Sequence, residues 1–223
     1  MKPIVVAFTG KRGSGKSEAV RALVEELGFR ELKFADPLKN MLRAMYKTCG
    51  VDSITIERKI EGDLKEVPCD WLMGQTPRFA MQTIGTEWRE LINTELWSEM
   101  FRKAVLSGNL GQRIACSDFR FPHEGVVIDS LGGMRIRVER PSADALDDPA
   151  SQHSSETLID GLAVDWSILN NRSLTNFRKD VLAYVKGNIG DRVSGPDSDA
   201  YDSGAIISRP RRPRHVEDGL DVS

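Results

Sequence analysis

Ile4-Val5-Val6-Ala7-Phe8-Thr9-Gly10-Lys11-Arg12-Gly13-Ser14-Gly15-Lys16-Ser17 is the stretch from which the fold is read. The run from Ile4 to Thr9 is apolar and rich in β-branched residues, which suits a strand buried on both faces of a parallel sheet. The next eight residues fit Gly-x-x-x-x-Gly-Lys-[Ser/Thr] at every fixed position. Behind them, Ala19, Val20, Leu23, Val24 and Leu27 share one helical stripe, and Gly28 stands where a C-terminal cap belongs. Strand, glycine-rich turn and helix in this order make a phosphate-binding loop. Gly10, Gly13 and Gly15, with Lys11, Arg12 and Ser14 between them, let backbone N–H groups converge on phosphate oxygens. The helix start adds partial positive charge, Lys16 reaches the β- and γ-phosphates of ATP, and the Ser17 hydroxyl is placed to ligate Mg²⁺.

Outward from the loop, strands and helices alternate, the pattern of an α/β fold with a central parallel sheet and right-handed crossovers. Glu31 to Phe34 reads as a short second strand. Asp36-Pro37 reads as an N-cap with proline at the first helical position, opening a helix to about Cys49. Residues 50–75 lack a clear period and read as an insertion of loops or short helices. Thr76-Pro77 repeats the cap-plus-proline signal and starts a helix expected to break at Gly85-Thr86 and resume to about Leu106. Arg113–Ser117, Met134–Val138 and Val164–Asn170 read as strands, with helices over His123–Leu131 and Ser173–Lys186. Arg135 and Arg137 alternate with Met134, Ile136 and Val138, which reads as one wet face of a strand.

The 223 residues carry 31 Lys and Arg against 33 Asp and Glu, a formal charge of −2 that argues against a polycationic nucleic-acid coat. No stretch approaches the roughly 20 apolar residues of a bilayer span, and the N-terminal apolar run is too short for a signal peptide. Cys49, Cys69 and Cys116 are odd in number and far apart, so neither a disulfide framework nor a zinc site is indicated. A soluble cytoplasmic protein is expected. From Gly187 onward Gly, Ser, Asp and Pro dominate, and an acidic patch (Asp197, Asp199, Asp202) precedes a basic one (Arg209, Arg211, Arg212, Arg214), so residues 187–223 are expected to form a disordered tail.

Ile114 to Asp118 is an apolar strand ending in an acid, and a parallel sheet presents its ligands at that end. Asp118 is therefore the expected magnesium partner of Ser17, directly or through water; an N-cap role for the following helix is compatible with this. Arg120, two residues on, is placed to neutralise charge developing on the γ-phosphate. A GTPase would carry Asp-x-x-Gly at this strand end, where the chain runs Asp118-Phe119-Arg120-Phe121, and Asn170-Asn171-Arg172-Ser173 is not the guanine-reading Asn-Lys-x-Asp. For an acceptor, Arg78 and Gln82 are four apart on one helical face, and Arg89 is seven further on. On a continuous helix Arg78 and Arg89 would stand about 16 Å apart. A break at Gly85-Thr86 would bring both to one phosphate, with Gln82 reading a base.

Phe34-Ala35-Asp36-Pro37-Leu38-Lys39, Thr76-Pro77-Arg78 through Gln82 to Gly85-Thr86-Glu87-Trp88-Arg89, Asp118-Phe119-Arg120-Phe121-Pro122-His123-Glu124 and His153-Ser154-Ser155-Glu156 occur in this order. Together they resemble the motifs of the phage (bacteriophage) deoxynucleoside monophosphate kinases, a family of the P-loop kinase group that is similar to adenylate kinase. The resemblance spans about residues 4–186. It implies a P-loop kinase three-layer sandwich over residues 1–186, with a helical acceptor-binding region at about 36–106 and a lid at about 140–160. It also implies that Asp36 faces and orients the acceptor nucleotide, that Arg78 and Arg89 hold its phosphate and that Gln82 meets its base or sugar; Lys39 is counted with the substrate-binding residues, and Trp88 is placed either to stack on the base or to pack in the core. Arg140 is the one Lys or Arg of the lid and falls to the ATP side.

The reading is thus an ATP- and Mg²⁺-dependent (deoxy)nucleoside monophosphate kinase. Its catalytic residues are Lys16, Arg120 and Asp36; its partners are ATP and a deoxynucleoside monophosphate, with no membrane or direct nucleic-acid partner and with a homodimer left open. Two alternatives stand beside it: a dephospho-coenzyme A kinase or other small-molecule P-loop kinase, and a binding module switched by ATP.

Overall fold

The computed structural model describes residues 2–141 and 159–190. Most of the expected lid, including His153, and all of the expected tail from residue 191 lie outside the described residues.

Strand β1 (Ile4–Thr9) is buried along its whole length because it is central in a sheet covered on both faces. The strands β1, β2 (Arg30–Glu31), β3 (Arg113–Cys116), β4 (Met134–Glu139) and β5 (Trp166–Leu169) form one all-parallel sheet in the order β2-β3-β1-β4-β5. The register sets Val5 beside Ile114 and Val6 beside Met134. The two-residue period of β1 then divides its side chains. Ile4, Val6 and Phe8 pack against α1 (Lys16–Leu27) and α7 (Leu174–Ile189), through Val20, Leu23, Phe177, Val181 and Val185. Val5 and Ala7 face α5 (Leu96–Leu106) and α6 (Pro122–Ser130), through Phe101, Val105, Val127 and Ile128. This is the α/β fold of the P-loop kinases, with helices on both faces of a parallel sheet.

A third apolar cluster lies away from the sheet. It joins α2 (Asp36–Thr48), α3 (Ser53–Ile60) and α4 (Pro77–Leu91) through Leu38, Leu42, Tyr46, Ile56, Ile60, Cys69, Met81 and Trp97. Two short 3₁₀ turns, Asp63–Glu66 and Asp70–Leu72, fill the connection from α3 to α4.

Several elements depart from the sequence reading. The second strand is two residues, Arg30–Glu31, and Phe34 turns inward onto Phe101, with ring centroids 4.3 Å apart. Asp36 is not the cap of α2: Ala35 is, and the Asp36 carboxylate accepts from Lys33 N–H at 2.8 Å. Thr76 does cap α4, its Oγ1 accepting from Phe79 N–H at 3.1 Å. The helix then runs through Gly85 without a break, because the segment packs on Leu38 and the Gly85 carbonyl accepts from Trp97 Nε1 at 3.0 Å. The turn comes later, where Asn93 Oδ1 accepts from Glu95 N–H at 2.8 Å. The last helix extends to Ile189, which is buried and anchors three residues assigned above to the tail.

Candidate active site

The loop between β1 and α1 is shaped by positions that only glycine fills. Gly10 has φ +139°, and a side chain there would collide with the Val138 carbonyl of β4. Gly15 has φ +113°, and a Cβ would lie 2.5 Å from Asn170 Nδ2, which donates to Ser14 O at 2.8 Å. The loop is therefore clamped between the carboxyl ends of β4 and β5. Lys16 Nζ donates to the carbonyls of Gly10 and, at 2.8 Å, of Lys11, which lays its ammonium along the concave side of the loop. Arg12 and Ser17 are exposed. Arg140 Nη1 reaches Gly13 O at 3.4 Å, and Lys11 Nζ lies 3.9 Å from Asp160. A cavity of about 240 Å³ opens beside the loop, lined by Gly10, Ser14, Arg137, Arg140 and Asp160 among others.

At the end of β3, Asp118 joins this donor side to the helical region. Its Oδ1 accepts from Phe34 N–H and its Oδ2 from Ala35 N–H, both at 3.0 Å, so one carboxylate orders the turn that launches α2. Asp36 follows directly; burial first, then the charge of Asp118, raises its pKa above the ordinary carboxylate range. Glu124, almost fully buried at the start of α6, accepts from Arg120 N–H at 2.7 Å and Phe121 N–H at 3.0 Å. Burial, then the charge of Asp118, lifts it to about 8. Arg120 is half-buried at the head of this turn.

The acceptor-side residues divide into two groups, because α4 is one continuous helix. Arg78 and Arg89 stand about 16 Å apart along it, so they do not converge on one phosphate as expected. Arg89 lies at the carboxyl end, over the Phe121 ring at 5.0 Å, with its Nε donating to Thr94 O at 3.1 Å. Phe121 stacks in turn on His123, at 5.4 Å, whose pKa falls to about 4 through burial and the Arg89 charge. Arg78 lies at the other end, paired with Glu66. Near it are Lys39, bonded to Glu61 at 2.7 Å, and Lys65, whose pKa falls to about 8 through burial and the charges of Arg78 and Lys39. Gln82 is half-buried between the two groups. Trp88 stacks on Trp97 at 6.1 Å and remains 38% exposed, so its ring packs on the helical region.

No protein-family model matches the chain. A protein of Acanthamoeba polyphaga mimivirus, provisionally named a deoxynucleotide monophosphate kinase, is 30% identical over 196 residues, which are 82% of this chain and 96% of the viral protein. The chain belongs to the deoxynucleotide monophosphate kinase family. That relative is a mimivirus protein, so the narrower phage assignment expected from the motifs rests on no comparison. Among solved structures, the kinase is similar to a dephospho-CoA kinase from Campylobacter jejuni, at 14% identity and a TM-score of 0.45 over 82% of this chain and 96% of that one. It is also similar to a shikimate kinase from Aquifex aeolicus, at 13% identity and 0.43 over 83% and 98%.

Within the kinase, four site residues escaped sequence reading. Asn170 and Arg137 brace the donor loop and its surroundings. Arg137 is not on a wet face: its Nη2 donates to the carbonyls of Ile159, Asp160 and Leu162 at 3.1, 3.2 and 2.7 Å. Arg135 likewise pairs with Asp129 and Asp165, each at 3.2 Å. Glu124 and Lys65 are the other two; only Glu124 carried a signal, an acid three residues into a proline-started helix. Among the described residues no three His, Cys, Asp or Glu side chains gather as a metal site, and none is needed for Mg²⁺, which is held by one or two protein oxygens beside phosphates and water. Ser17, exposed at the start of α1, fits that demand; Asp118 has both oxygens engaged by backbone N–H and retains lone pairs for a water-mediated contact. Among the described residues no helix is long and apolar enough to cross a membrane.

Proposed function

We propose that this P-loop kinase transfers the γ-phosphoryl group of ATP to the 5′-phosphate of a deoxynucleoside monophosphate. The observation that carries the reading is the Asp118 carboxylate bonded to Phe34 and Ala35, because it ties the start of the helical region to the carboxyl end of β3, the neighbour of the strand that carries the phosphate loop. A donor and an acceptor phosphate then meet at the carboxyl ends of β1 and β3.

The roles follow from position. Lys16 leaves the carbonyls of Gly10 and Lys11 for the β- and γ-phosphates, and Arg140 flanks the loop on the ATP side. Arg89 and Arg120, at the Phe121 turn, hold the acceptor phosphate and neutralise charge at the transfer point. Gln82 is seven residues from Arg89, about 10 Å along the helix, far enough for the two to meet different ends of one nucleotide. Asp36 and the Lys39, Lys65 and Arg78 group border the sugar and base end. An acceptor phosphate is already anionic at neutral pH, so Asp36 orients and no general base is required; positioning and charge neutralisation carry the rate. Ser17, with Asp118 through water, would hold Mg²⁺, which would offset the negative charge of the ATP phosphates during transfer.

A coupled assay with ATP and a panel of deoxynucleoside and ribonucleoside monophosphates, dephospho-coenzyme A and shikimate tests this. Diphosphate formation from one or more deoxynucleotides is expected. Turnover of dephospho-coenzyme A alone, or ATP binding with no transfer to any acceptor, would overturn it.

A further inference from the structure

In the helical region, Cys69 lies in the apolar cluster of α2, α3 and α4 at 3% exposure, yet a cation meets its sulfur: Lys59 Nζ donates to Cys69 Sγ at 3.2 Å. The same ammonium lies over the Tyr46 ring, 5.8 Å from its centroid. The Tyr46 hydroxyl adjoins the sulfur, fully buried and without a well-aligned hydrogen-bond partner. The thiol is fixed from the backbone as well. Cys69 N–H donates to Gln75 O at 3.0 Å and Cys69 O accepts from Gly74 N–H at 3.1 Å, in a turn that holds Met73 at φ +52°.

We propose that Lys59 and Cys69 are an oxidation-dependent cross-link, closing to a sulfenamide between Nζ and Sγ when a peroxide reaches the pair. The thiolate sulfur attacks one peroxide oxygen, the O–O bond breaks, and the departing hydroxide takes a proton from the Lys59 ammonium to leave as water. Sulfur has been oxidised by two electrons and the peroxide reduced. Lys59 is now a neutral amine against a sulfenic acid; its lone pair attacks sulfur, the S–O bond breaks, and hydroxide leaves with an amine proton as a second water. Thiolate, ammonium and one hydrogen peroxide thus give S–N and two waters. The ammonium first stabilises the thiolate and then, once deprotonated by the chemistry it assists, is the nucleophile in reach.

The other two cysteines lack this arrangement. Cys49 is exposed and open to any soluble thiol, while Cys116 is buried beside Asp118, where burial and that charge hold its proton on. For Cys69 burial acts in the same direction, but the hydrogen bond from Lys59 and the adjoining Tyr46 hydroxyl prevail and lower its pKa. Cys69 shares its buried cluster with Leu42, Ile60 and Met81, a setting that would disfavour entry of larger polar thiols able to cap a sulfenic acid. Closure would tie α3 to the turn that launches α4, stiffening the helical region whatever its acceptor.

The test treats full-length protein with hydrogen peroxide, blocks residual thiols and maps tryptic peptides. The expected product joins the Lys59 and Cys69 peptides, is about 2 Da lighter than their sum, resists trypsin at Lys59 and reverts with dithiothreitol. Lys59→Arg keeps the cation and removes the nucleophile, so it is expected to accumulate a dimedone-reactive sulfenic acid at Cys69 in place of the link. Should that variant not fold, the wild-type map decides alone. A wild-type Cys69 that stays reduced while Cys49 oxidises, or that carries dimedone or sulfinic acid with no link to Lys59, would overturn the proposal.

Discussion

Lys16 rests on the carbonyls of Gly10 and Lys11 and lies outside the apolar core, so under the proposed function its loss falls on phosphate binding and transfer. Lys16→Ala is expected to lower kcat by about 10²-fold or more, with a thermal midpoint close to wild type. Steady-state kinetics and calorimetry on one preparation check both halves, and retention of more than about a tenth of kcat refutes the assignment. Glu124 is the residue whose protonation should show in stability. Its folded pKa of about 8 lies above the usual 4.3 or so. The folded state therefore holds this proton more tightly than the unfolded chain. The resulting stability is complete below about pH 4 and is lost as pH rises through about 8. Glu124→Gln retains an oxygen for the N–H groups of Arg120 and Phe121 but cannot titrate. Its midpoint is expected to fall less steeply than wild type between pH 5 and 8 in a melting series; parallel curves would rule the buried titration out.

At the scale of elements, the continuity of α4 decides how the proposed acceptor residues are divided. Arg89 at its carboxyl end stacks on Phe121, whereas Arg78, about 16 Å away, pairs with Glu66 beside Lys39 and Lys65. Arg89→Ala is expected to reduce kcat/KM for the monophosphate roughly 10- to 150-fold, the worth of a charge-assisted contact, with a smaller effect on ATP. Arg78→Ala is expected to cost less. Groups this far apart that meet different parts of the acceptor act nearly independently, so the double mutant should lose close to the product of the two factors. A loss well short of the product would mean that both guanidiniums serve one phosphate after all.

For the whole molecule, the phosphate loop is held by the sheet as much as by its own sequence. β4 sets the Val138 carbonyl against Gly10, and β5 delivers Asn170 to Ser14. Gly10→Ala is expected to destabilise the protein by at least about 2 kcal/mol, through strain at φ +139° and the collision with Val138. Urea denaturation measures this directly. A change within about 0.5 kcal/mol would mean that the loop moves off β4 without consequence.

The strand, loop and helix that would make the donor half of the site were legible in the chain itself. A buried strand, a glycine-rich turn and an amphipathic helix are local patterns, and Gly10 to Ser17 carries its chemistry in consecutive residues. Asp118 was legible as the end of a strand, since parallel sheets present ligands there. The arrangement of the proposed acceptor residues on α4 was not. Gly85 resembles a helix breaker when only propensity is counted, but its cost of about 1 kcal/mol is overridden by packing on Leu38 and the bond from Trp97. Arg137 alternates as a solvated residue would, and only the fold brings the carbonyls of Ile159, Asp160 and Leu162 around it. Lys59 and Cys69 are ten residues apart with no motif between them, and their contact exists because α3 and the turn before α4 pack on Tyr46. Periodicity and local motifs are properties of neighbours in sequence. Partners delivered by separate elements depend on how the three apolar clusters set those elements against one another, which only the tertiary structure decides.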